Sequence, residues 1–161
     1  MPNFLDIEAS GLHFDSWPVE VAVSGSEGIR SWLIRPEPTW LHWSEQAQAL
    51  HGITPAFLEE QGMAAKTVAR QLNQCLLETD GLVYSDAVHW DEDWLNTLFR
   101  AAGETREFHI LSIDDLFDEH EQALFQTARQ SLRDSGRYRL HRAAPDVALL
   151  CEAYRMVANS M

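Results

Sequence analysis

Lysine is almost missing from this 161-residue chain: Lys66 is the only one, and the formal net charge is −13 at pH 7. Affinity for long duplex nucleic acid comes mostly from Lys and Arg neutralising phosphates, so that mode of binding is excluded, whereas a short strand held through metal ions is not. Cysteine is scarce too. Cys75 and Cys151 fall on apolar positions of helix-like stretches with no CxxC or Cys/His neighbour, which excludes a disulfide framework or a zinc knuckle and points to a reducing compartment. No uninterrupted apolar run approaches the roughly 18 residues of a membrane span, and the start lacks a basic segment followed by an apolar one. The expectation is a cytoplasmic protein with no membrane partner. Repeats, low-complexity tracts and linkers are also lacking, so residues 1–161 read as a single domain, long enough to bury a core without staples.

The most informative stretch is Asn3 to Leu12, NFLDIEASGL. Phe4, Leu5 and Ile7 flank Asp6, and Glu8 follows two residues later, so a short buried strand would carry two carboxylates on one face. Carboxylates on a core strand repel each other unless a positive group sits between them, and a divalent metal is the simplest such group. An edge strand with both acids in water is the alternative. Gly11 is expected to end the strand and to let the backbone approach a ligand.

Val19 to Val23 and Ile29 to Ile34 read as two further strands around a Gly25–Gly28 hairpin turn, giving an antiparallel three-strand meander. A Trp-bearing helix is expected over Trp40 to Leu50, with His51 near its C-cap. Val68, Leu72, Cys75 and Leu76 mark a helix over Ala64 to Glu78. Short strands at Leu82 to Tyr84 and Phe108 to Leu111 then alternate with a helix that carries Trp94, Leu95, Leu98 and Phe99 and runs to Gly103. A helix from about Asp118 to Arg133 and a last helix from Pro145 complete the chain. The predicted class is α/β, a mixed five-stranded sheet flanked by helices.

Two later patches can meet the Asp6/Glu8 strand. In DAVHWDEDWL a strand gives way to a helix whose first turns carry Asp86, Asp91, Glu92 and Asp93, although acids there also serve simply as helix-dipole partners. In HRAAPD, His141 precedes the last helix and Asp146 lies in its first turn; a histidine can take a proton from water at neutral pH, and an aspartate can ligate a metal. His109 and Asp114 share that five-residue spacing, so spacing alone decides nothing. Arg129, Arg133, Arg137, Arg139 and Arg142 cluster late, either balancing a helix C-terminus or forming a phosphate track.

The order of these motifs resembles the DEDDh family of 3′-to-5′ exonucleases, which includes oligoribonuclease, ribonuclease T and polymerase proofreading subunits. FLDIEASGL, VYSDAVHWDEDWL and HRAAPD look like its three motifs, and PVEVAV and LHGIT like its second strand and HGI segment. The resemblance implies a ribonuclease H-like fold and two Mg²⁺ or Mn²⁺ ions clamping the scissile phosphate. It implies Asp6, Glu8, Asp91 and Asp146 as metal ligands and His141 as general base, all five catalytic, and His51 as structural. Asp91 is preferred to Asp86 because WDEDWL fits the family pattern, whereas Ser85-Asp86 departs from it. Glu8 and the backbone of Ala9, Ser10, Gly11 and Leu12 would line the terminal nucleotide pocket, with Asp86 and Trp90 as further substrate contacts, though an aromatic at this helix start is more often core. The implied partner is the 3′ end of a single strand, with short RNA favoured over DNA by the compact acidic chain. DNA trimming and a catalytically idle nucleotide- or protein-binding descendant are the alternatives. Homodimers are common among such proteins.

Overall fold

A computed structural model describes residues 1–161. Strands β1 (Asn3–Ala9), β2 (Pro18–Gly25), β3 (Gly28–Leu33), β4 (Leu82–Ser85) and β5 (His109–Ser112) form one sheet in the order β3-β2-β1-β4-β5. β1, β2 and β3 pair antiparallel around the Gly25–Gly28 turn, and β4 and β5 continue from β1 in parallel, so the mixed α/β sheet predicted from the sequence is the one observed. Helices α1 (Glu45–His51), α2 (Pro55–Gln61), α3 (Ala65–Leu77), α4 (Val88–Ala102), α5 (Glu119–Asp134) and α6 (Ala143–Ala158) flank it. None is long and apolar enough to cross a membrane.

Strand alternation sorts β1 between two cores. Leu5, Ile7 and Ala9 pack with residues of α3 and α4, whereas Phe4 packs with residues of α5 and α6. Asp6 and Glu8 share the parity of Phe4 and therefore face α5 and α6. β1 is also where the pairing changes from antiparallel to parallel. In open α/β sheets the crevice beyond the carboxyl ends of strands at such a switch point is where ligands bind.

Three elements depart from expectation. The helix expected over Trp40 to Leu50 starts only at Glu45, because the Ser44 side chain caps it by accepting from the Ala47 N–H; Trp40 instead stacks on Trp17, and Trp43 packs against it at a tilt. α2 was not anticipated, although Thr54-Pro55 is a helix start in which Thr54 accepts from the Phe57 N–H. α6 begins at Ala143, two residues before Pro145, since the first helical turns leave N–H groups unbonded and tolerate proline there.

Candidate active site

Five carboxylates converge at the carboxyl end of β1. Ligand atoms of Asp6, Glu8 and Asp146 lie within 4.8 Å of one another, and so do those of Asp6, Asp86 and Asp91. Asp6 belongs to both groups. Its Oδ2 is sealed from water and accepts no hydrogen bond, an arrangement that an ionised carboxylate does not keep without a proton or a cation.

Each acid arrives on a different element. Asp6 and Glu8 come from β1, Asp86 from the turn after β4, Asp91 from the first turn of α4, and Asp146 from the first turn of α6. Asp91 is only 1 % exposed, and the Ser85 hydroxyl donates to its Oδ2 at 2.5 Å. Both members of the uncertain Asp86/Asp91 pair thus reach the cluster, but only Asp91 is buried, with the Ser85 hydroxyl as its donor, whereas Asp86 receives Arg129.

Crowding dominates the electrostatics. Burial pushes Asp6 well above the ordinary carboxylate range, helped by the charges of Asp91, Glu8, Asp146 and Asp86. Burial, then the charge of Asp146, pushes Glu8 up to about 8. Asp91 is likewise raised well above its usual value by burial, against the pull of the Ser85 hydrogen bond. Asp146 is raised by burial, while Glu8 and His141 draw it the other way. All four hold protons more tightly than free carboxylates. An all-oxygen donor set with such a charge excess fits hard divalent ions.

His141 stands on an exposed turn immediately before α6 with φ of 62°, the only non-glycine residue in the left-handed region. Strain of this kind is worth about 1–3 kcal/mol and persists only where the surroundings enforce it. The two residues that follow His141 are anchored by Glu20, which sequence reasoning missed. From β2, beside Glu8 in register, its carboxylate accepts from Arg142 Nε at 2.9 Å and Nη2 at 2.7 Å and from the Ala143 N–H at 2.9 Å. It thereby caps α6 from another strand and fixes the segment between His141 and Asp146. The signal was present as a charged residue inside the apolar run PVEVAV. Glu20→Gln is expected to destabilise the fold by roughly 2–3 kcal/mol, by stripping a buried pair of one charge while Arg142 keeps partial access to water. Urea denaturation measures it; an unchanged midpoint would remove Glu20 from this role.

A cavity of about 350 Å³ opens beside Glu8, lined among others by Ala9, Gly11, Leu12, His13 and His42. Leu12 is 74 % exposed at its rim. Two expectations are corrected here. Ser10 is fully buried, its N–H donating to the Trp17 carbonyl and its own carbonyl accepting from Ser44, so it has no surface to offer a substrate. Gly11 does not end β1, which stops at Ala9; a Cβ there would meet His42 Cε1 at 2.5 Å, so the glycine makes room for a histidine rather than for a ligand. Trp90, expected more often in the core, is instead 37 % exposed and stacks on Trp94, which lines the same cavity. His51 is buried between Ala9 O and the Ile53 N–H and is structural, as expected. The largest cleft, about 680 Å³, lies near Met1, Ser24 and Cys151 and contains none of the clustered acids.

The late arginines do not form one track. Arg142 serves Glu20, Arg139 donates to the carbonyls of Leu140 and Leu50, Arg137 lies over Tyr138, and Arg129 pairs with Asp86.

No protein-family model and no curated protein matches the chain. Solved structures do match it. The zinc-ion-bound form of an E. coli exonuclease I complex with single-stranded DNA superposes with a TM-score of 0.73 at 16 % identity, over 100 % of this chain and 41 % of that one. The same enzyme with a dA16 oligonucleotide gives 0.73 and 16 % over 99 % and 41 %, and exonuclease I from Methylocaldum szegediense gives 0.73 and 16 % over 98 % and 40 %. The likeness is one of fold, and this chain spans about two fifths of the length of those structures.

Proposed function

We propose that residues 1–161 form one catalytic domain, a divalent-metal-dependent 3′-to-5′ exonuclease of the DEDDh kind acting on single-stranded nucleic acid. The observation that carries this reading is the pair of carboxylate triads sharing Asp6, whose buried Oδ2 lacks any partner. The fold shared with exonuclease I structures, several of them complexes with DNA oligonucleotides, supports it.

Asp6, Glu8 and Asp146 would hold one ion, and Asp6 with Asp91 a second, Mg²⁺ or Mn²⁺ by the hardness of the donors. Such ions, when bound, supply Lewis acidity toward the scissile phosphate and the attacking water. The chain supplies the rest. His141, its ring free of a hydrogen-bond partner on an exposed turn, takes the proton from that water. Glu20 holds the turn in place through Arg142 and Ala143. The cavity beside Glu8 receives the 3′-terminal nucleotide against Ala9 and Leu12, and Trp90 offers an aromatic face to a base. Products are nucleoside 5′-monophosphates. RNA was favoured by the compact acidic chain, whereas the DNA complexes among the structural neighbours favour DNA; no residue named here reads a 2′-hydroxyl.

Matched 5′-labelled RNA and DNA oligonucleotides with Mn²⁺, Mg²⁺ or chelator test the proposal. The expected result is a metal-dependent ladder shortening from the 3′ end, slowed at least ~10²-fold by His141→Ala, with the faster ladder naming the sugar. If neither strand shortens in either metal, the enzymatic reading falls and the binding-module alternative replaces it.

A further inference from the structure

Asp86 and Arg129 are left unused by the mechanism, yet both sit at the carboxylate cluster. Arg129 of α5 donates through Nη2 to Asp86 Oδ2, and the two side chains are only 18 % and 20 % exposed. Arg129 Nε is sealed from water with no acceptor. An ion pair serving only to tie α5 to the turn after β4 has no reason to leave a buried guanidinium N–H unmet, which costs about 1–3 kcal/mol.

The cavity enclosed by Asp6, Asp86, Arg129, Arg133 and Asp146 has a volume of about 20 Å³, room for about one water or one oxygen atom. Charge bookkeeping points the same way. Two divalent ions balance four of the five clustered carboxylates, and the fifth needs a cation of its own. Asp86 already has one in Arg129, whereas Asp6 Oδ2 has none and Asp91 has only a hydroxyl.

From this geometry we infer that Arg129 contacts the scissile phosphate, and that Asp86 is a positioning residue for that guanidinium rather than a third ligand to the second ion. A guanidinium has five donors in a planar fork. With one arm on Asp86, the fork is fixed and its unused donors are left for a non-bridging phosphate oxygen entering the cavity. Asp86, at the Ser85-Asp86 departure from the family pattern, thus comes with its own arginine. This inference rests on the exonuclease reading.

The test uses Mn²⁺ alone and then thymidine and uridine 5′-monophosphates, whose phosphate is the former scissile group. Calorimetric titration of the intact protein with Mn²⁺ is expected to give two ions for the parent, Asp86→Asn and Arg129→Ala, with affinities within about 3-fold. Monophosphate binding to the Mn²⁺-loaded protein should weaken at least ~10-fold in Arg129→Ala and in Asp86→Asn. The double variant should be no worse than Arg129→Ala, since the two act as one unit. Arg129→Lys, which keeps the charge and guards against misfolding as the cause, should recover only part of the binding because it lacks the fork. Loss of one Mn²⁺ from Asp86→Asn overturns the inference by making Asp86 a ligand. So does monophosphate binding that is unchanged in Arg129→Ala while the parent binds two ions and degrades oligonucleotides. A parent that takes up no Mn²⁺ defeats the exonuclease reading itself, and this inference with it.

Discussion

Asp6→Asn is expected to lower the rate of 3′-end hydrolysis by at least ~10³-fold while raising the thermal midpoint of the metal-free protein at pH 7.5. Both effects have one cause. Asp6 is the carboxylate shared by the two triads, and its Oδ2 is buried with no hydrogen bond while four other acids converge on it. An amide of the same shape removes the charge that those acids oppose and adds an N–H₂ that can donate to Glu8 or Asp146. Relief of that repulsion should be worth roughly 1–3 kcal/mol, or several degrees for a chain of this size. The same change deletes the one group able to bridge two cations. Hydrolysis of a labelled oligonucleotide and a thermal scan in chelator measure the two halves. A variant that is less stable than the parent yet fully active would show that Asp6 is an ordinary structural acid.

The second large effect is a pH-dependent response to metal. A carboxylic acid whose pKa is higher folded than unfolded binds its proton more tightly in the native state, so its contribution to stability is present at low pH and is lost as pH rises. For Glu8 that window runs from about 4.5, the usual value, to about 8. Asp6, Asp91 and Asp146 are shifted in the same direction. His51 acts oppositely: burial lowers its pKa, so it favours the fold increasingly as pH rises, but only until its unfolded value near 6.5 is passed. Between pH 6.5 and 8 the carboxylates therefore dominate. In chelator, the urea midpoint should fall across that interval, each unit of pH costing at most about 1.4 kcal/mol per coupled group. With millimolar Mn²⁺ or Mg²⁺ the fall should flatten or reverse, because the cation replaces the protons that the acids otherwise retain. Parallel pH profiles with and without metal would mean that the cluster binds no divalent ion.

The metal-free protein is thus least stable under the conditions in which its proposed chemistry runs. Five carboxylates held near a common point are an arrangement that folding alone would not select. Glu20 with Arg142 and Asp86 with Arg129 show how the fold bears it: each introduces an arginine beside an acid at the edge of the cluster.

Alternation around Asp6 and Glu8, the four-residue repeats of α3 and α5, and the turn at Gly25–Gly28 were legible in the sequence because each follows from local geometry and from the period of apolar side chains. The sequence by itself therefore determined the five strands, every long helix, the mixed sheet, and which residues carry an acid at an element's end, but not the short α2 or the start of α1. Whether those acids meet was decided only by the tertiary structure, because proximity between β1, α4 and α6 depends on strand order and packing. Asp86 and Asp91, five positions apart, could not be ranked by spacing; burial beside Ser85 separates one, and an arginine 43 residues away claims the other. Glu20 and Gly11 were opaque for the same reason. Glu20 caps a helix 123 residues further along, and Gly11 yields space to His42, contacts that exist only once distant segments are packed together.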